Sequence, residues 1–222
     1  MKSIIVKTIF IIISLSIVFA FATFYFEGNI SILFNTSNKF KYYTERVKSE
    51  AHRLNVIIEF QKKTAHDMAS TLNVFQYSDE VLNIIIESSL FNQYDVFGTS
   101  IAYDLSKDST LYCPYMFKSG DSLIIKNLNN PSYIWEQQEW FNKPKRENRS
   151  LLSAPYKSSI NGELMVTYSV PFYKFNGSED VFNGIVAIDL LINSFSTKAK
   201  KLGISEGGTS FLISTDGGFL TS

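Results

Sequence analysis

Cysteine, histidine and any excess of charge are nearly missing from this chain, and each shortage excludes something. Cys113 stands alone among 222 residues, so no intrachain disulfide can form. His52 and His66, the only two histidines, fall on one predicted helix but roughly 21 Å apart at a rise of about 1.5 Å per residue. No Cys or carboxylate cluster joins either of them, so no metal site is expected. Lys+Arg 21 balances Asp+Glu 21, for a formal net charge of +0. A protein built on nucleic-acid phosphates carries a basic excess, so no nucleic-acid partner is expected. There is no G-x-S-x-G elbow, no phosphate-binding loop and no H-E-x-x-H. Cys113 has no histidine at a nucleophile-like spacing. Neither a catalytic residue nor a cofactor is expected, and the chain does not read as an enzyme.

What is present is hydrophobic: 45% of residues, enough for the core of one domain plus a membrane anchor. Thr8 to Phe26 contains no charged residue, and its length matches a helix crossing a hydrocarbon core of about 30 Å. Lys2 and Lys7 precede it and Glu27 follows. Basic residues stay cytoplasmic, so residues 1–7 are expected inside, 8–26 across the plasma membrane, and the remainder outside. A cleaved signal peptide with Ala20-Phe21-Ala22 as its processing site is the rival reading.

Residues 39–76 predict one long helix, unbroken by Gly or Pro. Phe40, Val47, Leu54, Gln61, Met68 and Phe75 alternate with Thr44, Ala51, Ile58, Ala65 and Leu72 as the a and d positions of a heptad stripe. Such a stripe serves as the face laid on the domain's own core or as the seam of a parallel homodimer, and a helix of this length can do both at different heights. A shorter helix is expected over 79–91, with Asp79 as its N-cap. Runs rich in β-branched and aromatic residues then predict strands over 97–105, 110–117, 122–128, 151–156, 163–172 and 182–188. Turn signals separate them, among them the Asn161-Gly162 pair of a hairpin. Residues 190–202 predict a helix, with Asp189 at its mouth and Gly203 past its end. Thr209 to Ser214 and Phe219 onward read as the hairpin that opens a further sheet. Helices followed by antiparallel strands give an α+β class. A lone hairpin is marginal in water, so the second sheet is expected to be truncated at the end of the chain.

An ordered set of residues in the second half carries more. It runs Trp140-Phe141, Ala154-Pro155-Tyr156, Thr167-Tyr168-Ser169-Val170-Pro171 and Gly184-Ile185-Val186-Ala187-Ile188-Asp189. Behind an apolar N-terminal segment, this set resembles the double Cache extracytoplasmic sensor domain of bacterial transmembrane receptors. The resemblance implies a PAS-like antiparallel sheet hung on the long helix. Residues 35–204 would be the membrane-distal Cache lobe, and 205–222 the start of a truncated membrane-proximal one. It also implies that Trp140 and Phe141 cover a small-molecule ligand, that Tyr156 adds a phenol, and that Asp189 takes a cationic or hydroxyl group. Tyr168 and Ser169 would add hydroxyls, with Tyr103 and Tyr115 as further candidates. The chemistry is coherent: aromatic faces attract an ammonium group, and a carboxylate pairs with it. The same residues have plainer uses, Trp140 and Phe141 as core and Asp189 as a helix cap. Relatives that bind amino acids carry an Arg two residues before the Trp, where this chain has Gln138. An amide cannot supply a charged bidentate fork, which argues against an α-amino acid. The expected function is ligand sensing for a signalling output outside this chain. A ligand-free dimerisation module is the alternative.

Overall fold

The computed structural model describes residues 2–91, 93, 95–104, 106, 112–129, 133–195, 212–213 and 219–221, and their side chains except at 2–14, 30–37, 212–213 and 219–221. The chain divides into two compact units, Met1–Ser49 and Glu50–Ser222. One helix, α1 (Lys2–Val74), supplies the described residues of the first unit and opens the second. Among the described residues no helix is long and apolar enough to cross a membrane. The side chains of 8–14, which open the expected span, lie outside them.

In the second unit α1 is followed by α2 (Asp79–Leu90) and by strands β1 (Val96–Tyr103), β2 (Pro114–Ser119) and β3 (Ser122–Asn127). A short 3-10 turn (Trp135–Gln137) and α3 (Glu139–Glu147) come next. The strands β4 (Leu151–Leu152), β5 (Tyr156–Lys157), β6 (Leu164–Phe175) and β7 (Asp180–Leu191) follow. A separate pair, β8 (Leu212–Ile213) and β9 (Phe219–Thr221), ends the chain. The main sheet has the order β3-β2-β1-β7-β6-β4, with β5 also on β6, and every pairing is antiparallel. The α+β class and PAS-like sheet expected from the sequence are therefore present. The Asn161-Gly162 turn joins β5 to β6, and Gly162 takes φ +74°, a conformation open to glycine at little cost.

Alternation along the strands assigns the two faces of the sheet. Thr99 is bonded to Ser89 of α2, and Tyr168 to His66 of α1. Residues in step with them, such as Ile101, Val170, Val186 and Ile188, are buried on that helix-covered face. Met68, Ala69 and Leu72 of α1 and Leu82, Ile86 and Leu90 of α2 complete this layer. Gly184 permits its packing, because a Cβ there would lie 2.5 Å from the Phe172 ring and 2.4 Å from the carbonyl of Ala102. The opposite face carries Ser100, Tyr115, Thr167, Ala187 and Asp189, and α3 lies over part of it. The pairing of β6 with β7 shifts between Phe172 and Tyr173, which brings Phe182 under Phe141 at 6.0 Å between ring centroids. Lys145 of α3 pairs with Asp104 at 2.9 Å and fixes the helix to the end of β1.

Several expectations are corrected. Asp189 is not a helix cap: it sits inside β7, opposite Gly98 and Thr167, and the strand continues to Leu191 before a helical turn begins at Ile192. Residues 196–202 of the expected helix lie outside the described residues. Ser78, not Asp79, stands at the N-cap position of α2, without a side-chain capping bond, and Asp79 is the first helical residue. Along the heptad stripe burial changes with position, as a helix of this length allows. Gln61, Ala65, Met68 and Leu72 are buried in the domain's own core, whereas Phe40 and Val47 are exposed.

Candidate functional site

A cavity of about 330 Å³ opens on the sheet face under α3. Its floor is Ser100, Ala187 and Asp189 from the paired strands β1 and β7, with Met165 from β6. Trp140 from α3, Tyr133 from the segment before it, Tyr156 from β5 and Tyr115 from β2 form aromatic walls. Lys126 from β3 and Lys157 from β5 also line it, together with Gln138.

Asp189 is the chemical centre. Its side chain is buried, at 6% exposure, and both carboxylate oxygens accept hydrogen bonds. Thr167 Oγ1 donates to Oδ1 at 2.6 Å, and Tyr115 Oη donates to Oδ2 at 2.8 Å. Because the Thr167 hydroxyl proton is spent on Asp189, Tyr156 Oη must be the donor in its 2.6 Å contact with Thr167 Oγ1. Tyr156, Thr167 and Asp189 thus form a chain of hydroxyls ending on a carboxylate. The backbone N–H of Thr167 donates to Ser153 Oγ at 2.9 Å and keeps Thr167 in place. Trp140 is oriented by a 3.3 Å bond from its Nε1 to Tyr133 Oη.

Burial raises the Asp189 carboxyl to about 6, against the lowering effect of the bonds from Thr167 and Tyr115. Burial also pushes the Tyr115 and Tyr156 phenols up, and the Asp189 charge pushes both further. These phenols therefore stay protonated donors at any physiological pH. A carboxylate in this setting favours a cation or a neutral hydrogen-bond donor. With each oxygen already holding one protein donor, further lone pairs remain for a ligand.

The sequence candidates divide. Trp140, Tyr156, Tyr115 and Asp189 meet at the cavity. Tyr168 does not, because it neighbours Thr167 on the same strand and therefore points to the other face, toward His66. Tyr103 is likewise on the helix-covered face, edge-on to Phe172 at 5.3 Å, and burial raises its phenol to about 12. Phe141 turns from its neighbour Trp140 into the core against Phe182. Ser169 shares the site face but does not line the cavity, and its Oγ is buried without a hydrogen-bond partner. Cys113 is fully buried, which raises its thiol to about 12 and leaves it unreactive. Among the described residues no group of His, Cys, Asp and Glu could hold a metal ion. Tyr133, Ser100, Lys126 and Met165 were not expected from the sequence. Tyr133 sits two residues past a turn proline, in a stretch with no periodicity, so only its proximity to Trp135 and Trp140 hinted at a role.

Residues 82–197 match the family described as methyl-accepting chemotaxis protein-like, first PDC sensor domain. That is more than half of the chain. The chain belongs to this PDC sensor family. No curated protein matches it. Its fold is similar to the extracellular domain of soHK1S-Z6, a protein classed provisionally as a histidine kinase, with TM-score 0.58 and 22% identity over 70% of this chain and 60% of that one. It is also similar to the ligand-binding domain of the Pseudomonas aeruginosa PAO1 amino-acid chemoreceptor PctC in complex with GABA, with TM-score 0.56 and 16% identity over 82% of this chain and 74% of that one. A third similarity is to the ligand-binding domain of the Campylobacter jejuni chemoreceptor Tlp3 in complex with 4-methylisoleucine, with TM-score 0.58 and 12% identity over 82% and 69%. At these identities the likeness is one of fold. The chain spans less than two thirds of the length of soHK1S-Z6's domain. In this family the domain is a sensor module.

Proposed function

We propose that this PDC domain senses a small amine outside the cytoplasm and reports it to a signalling output elsewhere in the receptor. The observation that carries the reading is Asp189: a buried carboxylate on the floor of a cavity walled by Trp140, Tyr133 and Tyr156. An ammonium group there gains the carboxylate's charge and the aromatic faces together. GABA and 4-methylisoleucine, the compounds bound in PctC and Tlp3, each carry an ammonium and a carboxylate. Gln138 removes the arginine fork that would clamp a carboxylate, but Lys126 and Lys157 line the same cavity and supply two other cations. An amine with a second polar or anionic end therefore fits, and the volume limits it to a compact molecule.

Anchoring belongs to the same reading. The charge-free run Thr8 to Phe26 behind Lys2 and Lys7 supports a single membrane-spanning helix with the sensor outside. The exposed Phe40 and Val47 support a homodimer through that lower stretch of α1, not through 61–72, which the domain's own core uses. The domain limits expected for the distal lobe, 35–204, and for a proximal lobe opening at 205–222 are retained on the same footing.

A thermal-shift screen of the chain against amines, amino acids, carboxylates, sugars and purines tests the proposal. Ligand at about 100 times its Kd stabilises by roughly 2.7 kcal/mol. The expected result is stabilisation by an amine that Asp189→Ala abolishes. A hit confined to sugars or purines, or one that survives Asp189→Ala, would overturn the amine assignment. A folded chain with no hit would favour a ligand-free dimerisation module.

A further inference from the structure

Tyr115 reaches Asp189 by a diagonal path. Its register partner on β1 is Ser100, yet its ring lies along the sheet over Gly98, the residue directly opposite Asp189. A Cβ on Gly98 would stand 2.7 Å from both Cε2 and Oη of Tyr115 and 2.9 Å from Cζ. No real Cβ tolerates such distances, so the ring and a side chain at 98 exclude each other. The ring cannot simply retreat sideways, because Phe117 stacks against it at 5.4 Å and 26°. Phe117 in turn is held by Phe97 at 5.7 Å and has Lys126 Nζ over its face at 5.4 Å. Gly98 follows an irregularity in the pairing of β1 with β7, between Val96 and Gly98, but it takes no positive φ, so its backbone conformation does not itself require glycine.

We propose that Gly98 is a positioning residue of the ligand site: its missing side chain is the space that lets Tyr115 lie across β1 and place its hydroxyl on Asp189 Oδ2. Gly98 touches no ligand itself. It acts through Tyr115, and so sets both the floor of the cavity and the number of protein donors on the carboxylate. With Tyr115 in place, Asp189 enters binding with one oxygen held by Thr167 and the other by Tyr115. With any side chain at 98, the Tyr115 ring must rise into the cavity, which removes the Oδ2 donor and shortens the space for ligand. The inference rests on Asp189 as the ligand anchor, but its geometry holds for the empty protein.

The test needs no ligand. The full chain in detergent micelles, labelled at aspartate carboxyl carbons, is titrated by NMR, with the Asp189 signal assigned by its loss in Asp189→Asn. Tyr115→Phe removes a donor that favours the ionised form, and so moves the Asp189 midpoint upward by roughly one pH unit. Gly98→Ala is expected to move it in the same direction. The double variant Gly98→Ala with Tyr115→Phe is expected to move it no further than Gly98→Ala alone. A Gly98→Ala protein that titrates like the wild type, or a double variant whose midpoint moves by the sum of the two, overturns the proposal. If Gly98→Ala does not fold, Tyr115→Ala is added to it. Folding restored by loss of the ring supports the proposal, and a double variant that still fails to fold overturns it. Failure of the amine screen with this titration intact would strike the ligand assignment and leave the role of Gly98 standing.

Discussion

Asp189 ties stability to pH through one carboxyl group and, on the proposed reading, ties binding to pH as well. Its folded value of about 6 lies above the ordinary 3.8 because burial disfavours the charge. The folded protein therefore holds this proton more tightly than the unfolded chain does. The resulting stability is fully present below about pH 3.8 and is lost as pH rises through about 6. Asp189→Asn keeps an acceptor for Tyr115 and removes the titration. Urea unfolding between about pH 4 and pH 7 should show the wild type losing stability relative to this variant as pH rises. Parallel curves would show that the carboxyl does not carry the dependence. Ligand binding runs the other way. An ammonium ligand needs the ionised form, so its affinity should fall roughly tenfold per pH unit below about 6 and level off above. Isothermal titration at several pH values measures this directly, and a flat profile from pH 5 to 7 would remove Asp189 as the cation's partner. Gly184 makes a different, purely steric prediction. Gly184→Ala drives a methyl into the Phe172 ring and the Ala102 carbonyl, backbone that cannot move far within the sheet. A loss of about 1–3 kcal/mol is expected in a chemical melt.

The strands and long helix are legible in the sequence because each presents its own period. The expected strands at 122–128 and 163–172 fall on β3 and β6, since each is a short run between clear turn signals, carrying Leu123-Ile124-Ile125 in the first and β-branched and aromatic residues in the second. α3 is not legible. It has nine residues, an internal Pro144 and little apolar content, so its only local marks are Trp140, Phe141 and Pro144 on one side and a left-handed Asn148 behind it. Asp189 misleads for a physical reason. Aspartate is rare inside strands and common at helix starts, so an aspartate inside β7 looks like a cap. Side-chain direction is legible only in part. Tyr168 and Ser169 are adjacent on one strand and must face opposite ways, so they cannot both reach one ligand. The heptad stripe of α1 shows what periodicity cannot supply: it marks an apolar face, not what covers it. Leu72, 4% exposed, is held by the domain core, and Leu72→Ala should cost about 2–5 kcal/mol in unfolding. Phe40, 74% exposed, should cost no more than about 0.5 kcal/mol when changed to Ala. If the lower stripe is the dimer seam, Phe40→Ala with Val47→Ala should still shift the monomer–dimer balance by sedimentation. A balance left unchanged would discard the seam.

For a sensor, the site must be heard beyond its own cavity, and β6 offers a short route. Thr167 and Tyr168 are consecutive residues on opposite faces of that strand. Thr167 Oγ1 donates to Asp189 on the ligand side, while Tyr168 Oη meets His66 Nε2 of α1 at 3.1 Å on the other. Lys62, one turn earlier on α1, stands over the Tyr168 ring at 5.8 Å. A ligand that draws Asp189 toward itself pulls on Thr167, and a paired strand transmits such a displacement as a unit. The side chain on its far face then shifts against α1, the helix whose N-terminal stretch is the proposed anchor. Coupling of this kind is a differential free energy between two arrangements, so it should be visible as altered opening of α1. The strongest amine stabiliser from the screen is therefore expected to change amide hydrogen exchange around residues 60–70. Tyr168→Phe should leave affinity within roughly twofold, since the hydroxyl is remote from the cavity, yet reduce that change in exchange. Full ligand-dependent exchange in the Tyr168→Phe protein would mean that the signal leaves the sheet elsewhere, with the helical turn after β7 as the next element to probe.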